Sequence, residues 1–300
     1  MNLFQIRNLL FSYSDKNCVL KIKELDLRKE EIIVFSGPNG SGKTTFFKIL
    51  SGFLKPDSGE IKTDLRFSEI SYLPQEPCLL KRSVKKNLEY GLKIRKILNI
   101  DERIDHALGM TGLSKEKYLN RKWFELSGGE KKRVALSQRL ALRPLLMILD
   151  EPSESVDSET RFYLSEAVKQ ASFEWKTSFI ISTHDKIWGT QTGNSFYSML
   201  NGNVFEGGFL NFIKSENSNE LFVIRPEKIT ISETPIKERD FCLVFKGFVS
   251  ACILVCKKEY YYCVDLNDKK IWVKSAGKNI STGSFVYISY DKNNFEKFES

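Results

Sequence analysis

Hydrophobic and polar positions in the first half of the chain follow the order strand, helix, strand. Residues 31–35 are a short apolar run that enters a glycine-rich turn, and apolar side chains then recur at helical spacing over residues 44–54. Two more continuous apolar runs occupy residues 145–149 and 177–181. Near-continuous hydrophobic strands are typical of parallel sheets that are covered on both faces, so this pattern predicts an α/β domain.

The pattern changes twice along the chain. Between residues 81 and 118 it stays helical but carries more charge, which predicts a helical lobe inserted at about residues 76–140. Beyond residue 219 come short alternating stretches rich in Val, Tyr, Phe and Ile, with turns at Asn267-Asp268 and Thr282-Gly283. These features predict a first domain over residues 1–218 and a small all-β domain, a barrel or sandwich, over residues 219–300.

Composition narrows the function classes only slightly. Hydrophobic residues make up 41% of the chain, enough for a globular core, and no apolar run reaches the roughly 18 residues of a membrane-spanning helix. The N-terminus alternates like a strand and lacks a signal peptide's apolar block, so we expect a cytoplasmic protein. The net charge of +8 is interleaved with 38 acidic residues and does not by itself select nucleic acid, a membrane surface or a solvated helix face. Six cysteines without a CxxC pair, and only two histidines, disfavour a zinc site.

A phosphate-binding pattern occupies the turn after the first apolar run. Eight consecutive residues match GxxxxGK(S/T): Gly37, Pro38, Asn39, Gly40, Ser41, Gly42, Lys43 and Thr44. The glycines let successive backbone N–H groups face a phosphate, and the following helix adds the positive end of its dipole. We expect Lys43 to reach the β- and γ-phosphates, Thr44 to ligate Mg²⁺ and Thr45 to contact the α-phosphate. The pattern therefore predicts a nucleotide with Mg²⁺, and by itself it leaves many nucleotide-binding families open, whereas ATP as the cofactor follows from the family resemblance below.

A second set of motifs points to a family. Residues 126–130 spell LSGGE, a helical stretch follows, and residues 145–152 spell LLMILDEP. Together with the phosphate-binding loop, this order of motifs resembles the ABC ATPase family over about residues 1–210. The resemblance implies a P-loop NTPase fold, ATP hydrolysis, a homodimer and integral-membrane permease subunits as partners. It also implies a position at the inner face of the cell membrane, and no nucleic-acid partner is expected.

The resemblance assigns roles to single residues. Asp150 would hold Mg²⁺ through a water molecule, and Glu151 would be the general base for the attacking water. His184 resembles the histidine that contacts the γ-phosphate, and Gln75 resembles the loop glutamine that reaches Mg²⁺ and couples to the membrane subunits. Tyr13 lies where the family stacks an aromatic ring on adenine. Without the family context, the acidic pair could equally cap a helix and the tyrosine could be a core residue.

The signature segment has both a local and a family interpretation. Ser127 and Glu130 form an S-x-x-E capping box, which predicts a helix start. In the family, this helix start with Gly128 and Gly129 acts in trans, because it covers the γ-phosphate held by the other subunit. The family's dimer-contact loop often spells SALD or ASLD, whereas Glu154 places a charge in that loop here.

The β-rich tail carries shorter resemblances. Residues 225–227 spell RPE and residues 283–289 spell GSFVYIS, which resemble parts of the TOBE-type, OB-like domain of prokaryotic importer ATPases. So compact a tail is similar to that of tungstate or molybdate importers, with an extracytoplasmic solute-binding protein as an indirect partner. Importers of iron, sugar or polyamine remain alternatives, as do a non-transport ABC ATPase and a nucleotide-binding regulator. Lys246, Ser250 or Lys278 could form an oxyanion site in the tail, and a domain that only stabilises the dimer is the competing interpretation.

Overall fold

The computed structural model describes the chain except for residues 14–17, 209, 215–220, 237–241, 257–258, 267–268, 277–279, 295 and 299–300. The chain divides into two compact units, Met1–Gly208 and Phe209–Ser300. The second unit begins before the expected residue 219, because the strand Asn211–Lys214 pairs with the strand Leu221–Ile224. Residue 219, Lys278 and the predicted turn at Asn267-Asp268 lie outside the described residues.

The first unit alternates strands and helices. Its strands are β1 (Asn2–Ser12), β2 (Cys18–Arg28), β3 (Ile32–Ser36), β4 (Ser58–Lys62), β5 (Ile70–Leu73), β6 (Leu146–Asp150), β7 (Ser178–Ser182), β8 (Ser195–Leu200) and β9 (Asn203–Glu206). Its helices are α1 (Lys43–Leu50), α2 (Val84–Ile94), α3 (Ile100–Met110), α4 (Lys115–Tyr118), α5 (Gly128–Leu140), α6 (Ser158–Trp175) and α7 (Lys186–Thr192). Helix α1 ends before the predicted residue 54, because the chain turns at Gly52, where φ is 77°.

The central sheet has six strands in the order β5-β6-β7-β3-β8-β9, and all but β9 are parallel to their neighbours. Strands β3, β6 and β7 are buried at every position. Alternate residues of β3 belong to two different cores, Ile32 and Val34 to one and Ile33 and Phe35 to the other. The sheet is therefore covered on both faces, as the continuous apolar runs predict.

Helices and a second sheet cover the two faces of the central sheet. Helices α2, α3, α5 and α6 contribute to the first core, and α1 contributes to the second together with the antiparallel sheet β2-β1-β4. The carboxyl ends of the parallel strands β3, β6 and β7 meet at one edge of the central sheet, which is where ligands bind in open α/β sheets. The segments that follow these strands carry residues 37–42, 151–157 and 183–185.

The second unit is all-β over its described residues, as predicted, apart from two 3₁₀ turns. Its strands are β10 (Asn211–Lys214), β11 (Leu221–Ile224), β12 (Ile229–Ser232), β13 (Cys242–Cys256), β14 (Glu259–Leu266), β15 (Lys269–Ala276), β16 (Phe285–Asp291) and β17 (Glu296–Phe298). They form a three-stranded sheet, β10-β11-β17, and a five-stranded sheet, β12-β16-β13-β14-β15. The outer strands β12 and β15 of the larger sheet also contact each other, so this sheet curls around a core that includes Val249, Tyr262 and Ile288. In the part of the chain that the structure describes, no helix is long and apolar enough to cross a membrane.

Candidate nucleotide-binding site

The phosphate-binding loop connects β3 to α1. The residue before the helix, Gly42, has φ 101° and ψ 1°, and no side chain caps the helix start. A Cβ atom on Gly42 would lie 2.8 Å from Leu20 Cδ2, and one on Gly37 would lie 2.2 Å from the carbonyl oxygen of Met199. Glycine is therefore required at both ends of the loop. The first N–H groups of α1 stay uncapped, which is the arrangement that binds phosphate at a helix start.

A cavity of about 390 Å³ opens beside this loop. The residues that line it are Val19, Asn39, Gly40, Ser41, Gly42, Lys43, Thr44, Thr45, Gln75, Glu151 and Glu154. The cavity therefore brings most of the predicted phosphate-binding loop together with the predicted glutamine and the predicted base. Its volume is in the range of small-molecule sites. The signature residues 127–130 are not part of this lining.

Lys43 is buried at the centre of the site. Its ammonium group donates hydrogen bonds to the carbonyl oxygens of Gly37, at 2.9 Å, and Pro38, at 3.1 Å. It also lies 3.8 Å from Glu151 Oε1. Burial lowers the pKa of Lys43, and the carboxylates of Glu151 and Asp150 oppose part of that change. Phosphate oxygens would give this desolvated ammonium group stronger partners than carbonyl oxygens do.

Asp150 ends strand β6 and is held by hydroxyl groups from both neighbouring strands. Ser182 Oγ donates to its Oδ1 at 2.6 Å, and the hydroxyl of Tyr72 donates to its Oδ2 at 3.1 Å. Burial raises the pKa of Tyr72, and the nearby Asp150 charge raises it further, so the phenol remains a donor. The carboxylate is therefore fixed in orientation.

Glu151 follows in a strained backbone conformation, with φ 46°. Its N–H group donates to Ser182 Oγ at 2.9 Å. Its Oε2 accepts the backbone N–H of His184 at 3.1 Å and lies 3.0 Å from His184 Nδ1. Its Oε1 is buried and has no hydrogen-bond partner among the described residues. One carboxylate oxygen is thus anchored and the other is available to a ligand or water.

Tyr13 lies next to the phosphate-binding loop. Its hydroxyl is 3.1 Å from Thr45 Oγ1, within hydrogen-bond distance. Its ring packs edge-to-face against Phe11, with 5.0 Å between the ring centroids. The side chain is 60% exposed. A supported but exposed ring can stack on a planar base, and it is not a core residue.

Gln75 and Glu154 meet at the wall of the cavity. The amide Nε2 of Gln75 donates a hydrogen bond to Glu154 Oε2. The backbone carbonyl of Glu154 accepts a hydrogen bond from the Lys132 ammonium group, which belongs to α5. Glu154 therefore connects the glutamine loop to the signature helix.

The signature segment forms the predicted capping box at the start of α5. Ser127 Oγ accepts the N–H of Glu130 at 3.2 Å, and Glu130 Oε2 accepts the N–H of Ser127 at 2.8 Å. The other oxygen of Glu130 accepts the hydroxyl of Tyr118 at 2.8 Å. Gly128 is exposed, and a Cβ atom there would meet nothing within 4 Å. This helix start faces open space in the single chain.

Sequence reasoning missed the hydroxyl groups of Ser182 and Tyr72. The sequence does contain a signal for both hydroxyl groups, because each residue lies in an apolar strand that pairs with β6. Ser182 pairs with Asp150, and Tyr72 pairs with Ile148. Finding them required the strand order of the sheet in addition to the motifs.

Comparison with known proteins shows which family and which relatives the chain resembles. Residues 20–154 match the family model described as ABC transporter. The chain is 34% identical over 197 residues to the molybdate/tungstate import ATP-binding protein WtpC of Archaeoglobus fulgidus, a match that covers 63% of this chain and 81% of that protein. It is 34% identical over 229 residues to the tungstate uptake system ATP-binding protein TupC of Campylobacter jejuni, covering 73% of this chain and 68% of that protein. It is 33% identical over 218 residues to the spermidine/putrescine import ATP-binding protein PotA of Borrelia garinii, covering 69% of this chain and 62% of that protein.

Solved structures show the same fold. The cbiO1 protein of Clostridium perfringens, part of the ABC transporter complex cbiONQ, superposes with a TM-score of 0.63 at 29% identity, covering 69% of this chain and 88% of cbiO1. A dimeric post-hydrolysis structure of the ATP-binding cassette MJ0796, bound to ADP and Pi, has a TM-score of 0.60 at 25% identity and covers 69% of this chain and 100% of the cassette. With its phosphate-binding loop, acidic pair and capped signature helix in one unit, this chain belongs to the family of ATP-binding, ATP-hydrolysing subunits of ABC transporters.

Proposed function

We propose that the cavity beside the phosphate-binding loop binds ATP with Mg²⁺ and that Glu151 is the general base of hydrolysis. The observation that carries this proposal is the Glu151 carboxylate, which has one anchored oxygen and one buried oxygen without a hydrogen-bond partner in the described part of the chain, 3.8 Å from the Lys43 ammonium group. A water molecule that donates to Oε1 would lose its proton there as it attacks the γ-phosphate. The His184 backbone and ring would hold Oε2 and so keep the base oriented.

The oxygen-bearing side chains around the cavity fit a hard divalent cation. Thr44 and Gln75 line the cavity, and Asp150 is fixed by two hydroxyl donors beside it. We propose these three residues as the Mg²⁺ site, with Asp150 acting through a water molecule. The bound cation would neutralise charge on the phosphates, and Lys43 and the N–H groups of residues 39–45 would hold the remaining phosphate oxygens. Tyr13 would stack on adenine.

The base is tested by Glu151→Gln. The variant should retain ATP binding but lose hydrolysis by on the order of 10²-fold or more, because the amide cannot accept the proton. It should also accumulate an ATP-bound dimer in size-exclusion chromatography. Glu166→Gln, at an exposed position of α6, is the matched control and should hydrolyse normally. Near-normal turnover by Glu151→Gln would remove Glu151 from this role.

We propose that the working form is a homodimer in which the signature helix of one chain completes the nucleotide site of the other. Two features support this. Residues 127–130 are absent from the cavity lining of their own chain, and the start of α5 is exposed. An exposed helix N-terminus with two glycines suits the approach of a phosphate group. The dimeric post-hydrolysis structure of MJ0796 lends the arrangement a precedent.

We propose that the membrane permease contacts a groove of about 350 Å³ beside the glutamine loop. The groove includes Phe53 and Tyr90, whose side chains are 68% and 46% exposed. Tyr72 lines the same groove and donates its hydrogen bond to Asp150. A permease contact that moved Tyr72 would therefore also affect Asp150 at the nucleotide site. The basic side chains of Lys85 and Lys86 are exposed on the adjoining helix α2.

Charge reversal tests this contact. Lys85→Glu with Lys86→Glu should abolish stimulation of ATP hydrolysis by the permease and leave basal hydrolysis unchanged. Lys115→Glu with Lys117→Glu, on α4, is the control pair. Unchanged stimulation in the α2 variant would place the contact elsewhere.

For the solute, we propose a tungstate- or molybdate-type oxyanion, taken up through a permease from an extracytoplasmic binding protein, with this chain at the inner face of the membrane. Support comes from two relatives with these functions at 34% identity. A polyamine is the second candidate, because the PotA protein of Acetivibrio thermocellus matches 96% of this chain and 94% of its own length, at 28% identity. Uptake assays with the permease and binding protein should show transport of tungstate or molybdate and not of spermidine. Spermidine uptake would favour the second candidate.

We propose that the second unit is a TOBE-like domain that stabilises the assembly. Two side chains considered for an oxyanion site are already engaged. The Lys246 ammonium lies 5.4 Å from the centroid of the Phe285 ring, and Ser250 Oγ lies 3.3 Å from Asp265 Oδ1. A carboxylate beside Ser250 disfavours an anion. Millimolar tungstate or molybdate should therefore not raise the Tm of the nucleotide-free full chain more than sulfate does. A Tm that rises more with tungstate or molybdate than with sulfate would indicate that the second unit senses the oxyanion.

A further inference from the structure

Glu154 lies in a tight turn that brings a second glutamate to the cavity. The N–H group of Glu154 donates to the carbonyl oxygen of Glu151 at 3.2 Å, and Ser155 follows with φ 54°. Both glutamates consequently line the same cavity as Lys43 and Thr44. A charged residue in this turn is also the departure from the family's loop pattern.

Among the residues that the structure describes, the Glu154 carboxylate contacts Gln75 and forms no salt bridge. Gln75 Nε2 donates to its Oε2, and within the described ranges no lysine or arginine side chain lies within 4.0 Å of the carboxylate. Glu151 and Glu154 therefore place two carboxylates in the lining of a cavity that also contains the buried ammonium group of Lys43. A polyphosphate that enters without a divalent cation meets the Glu154 charge directly.

The backbone of Glu154 is fixed independently of its side chain. The Lys132 ammonium group donates to the Glu154 carbonyl oxygen. Because this bond does not involve the carboxylate, the turn can stay in place while the side chain exchanges partners. The same side chain can therefore bond Gln75 in one state and face a cation in another.

Resting on the proposed ATP site, we propose that Glu154 is a positioning residue that makes nucleotide binding depend on a divalent cation. Without the cation, the carboxylate holds the Gln75 amide at the cavity wall and repels the phosphates. A divalent cation that entered with ATP would offset the repulsion, and the Gln75 amide would then be free to supply its oxygen as a ligand. Glu154 thereby selects the metal complex of ATP over metal-free ATP.

The test measures ATP affinity of the full chain with Mg²⁺ and with EDTA, by titration calorimetry. Glu154→Gln removes the charge and keeps the ability to bond Gln75, so its affinity for metal-free ATP should rise on the order of tenfold while its affinity for Mg-ATP changes little. Glu76→Gln is the matched control, because Glu76 is exposed on the same loop and does not line the cavity. Its ratio of the two affinities should equal that of the wild type.

A double-mutant cycle tests the contact with Gln75. The effects of Glu154→Ser and Gln75→Ala on Mg-ATP affinity should be non-additive by about threefold or more, because both remove the same hydrogen bond. An unchanged metal-free affinity in both Glu154 variants, with normal thermal unfolding, would overturn the inference. So would full additivity in the cycle. A wild-type chain that binds no ATP in either condition would instead contradict the proposed function, and this inference with it.

Discussion

Two glycine-rich helix starts in the first unit are built in opposite ways. Helix α1 begins after Gly42 in a left-handed conformation with no side-chain cap. Helix α5 begins after Ser127 with a complete capping box. The first start lines a cavity and the second is exposed. The uncapped start has unsatisfied N–H groups that a phosphate can bind. The capped start is stable in the free chain, and only the N–H groups that its cap does not use can bind a phosphate.

The different caps suit the two glycine motifs to the different roles proposed for them. A helix start that lacks a cap leaves its N–H groups to a ligand, so in the proposed site the nucleotide would be held mainly by the α1 end. A helix start that supplies its own cap can remain folded before a second chain binds. In the proposed homodimer, hydrolysis would need both ends and would therefore be controlled by association.

The largest effect is expected from Lys43→Ala. The variant loses the buried ammonium group at the uncapped end, so ATP affinity should fall by about 10- to 100-fold, the range for charged hydrogen bonds, and hydrolysis should be undetectable. Lys48→Ala, in the last turn of the same helix, should bind ATP normally. Fluorescent-nucleotide titration measures both. Equal affinities of the two variants would contradict the assignment of the α1 end.

Gly128→Ala should separate folding from catalysis at the capped end. A Cβ atom there meets nothing within 4 Å, so the Tm of the free chain should not fall. Hydrolysis should drop by on the order of tenfold, because the methyl group would hinder the approach of a phosphate held by another chain. ATPase assays and thermal unfolding of the same preparation measure the two quantities. Full activity would show that no phosphate approaches Gly128.

Gly129→Ala, unlike Gly128→Ala, should destabilise the free chain. Its Cβ atom would lie 2.5 Å from Thr160 Oγ1, and Thr160 is buried. Overpacking of this kind costs about 1–3 kcal/mol, so the free energy of unfolding should decrease, as measured by denaturant titration. A free energy of unfolding equal to that of Gly128→Ala would mean that α6 does not restrict the space at residue 129.

The smallest effect concerns the cap itself. Ser127→Ala should lower the free energy of unfolding of the nucleotide-free chain by about 1 kcal/mol, the usual cost of losing an N-cap. Ser114→Ala is the control, because Ser114 precedes α4 without a side-chain capping bond. Denaturant titration should show a difference between the two. Identical midpoints would indicate that the capping box does not stabilise α5.

Local motifs predicted the parts of the site that lie within one segment. The glycine-rich turn before α1 and the capping box of α5 each depend on residues at most eight positions apart, and both local structures are present. The Ser182 and Tyr72 bonds to Asp150 were not predicted, because they depend on the sheet order β5-β6-β7. The Gln75–Glu154 contact joins residues 79 positions apart and has no local signal. The start of the second unit was placed too late for the same reason, since the pairing of β10 with β11 outweighs the polar composition of its segment.

The most direct measurement of the central claim is complementation between the two helix starts. Lys43→Ala protein has an intact signature end and Ser127→Arg protein has an intact phosphate-binding end, so each variant should be inactive when assayed separately. When they are mixed in equal amounts, half of randomly formed dimers contain one intact composite site, and hydrolysis should recover to roughly a quarter of the wild-type rate. The recovery should increase with protein concentration. A mixture that stays inactive although both variants fold, or a Ser127→Arg variant that hydrolyses ATP at the wild-type rate independently of concentration, would contradict the account.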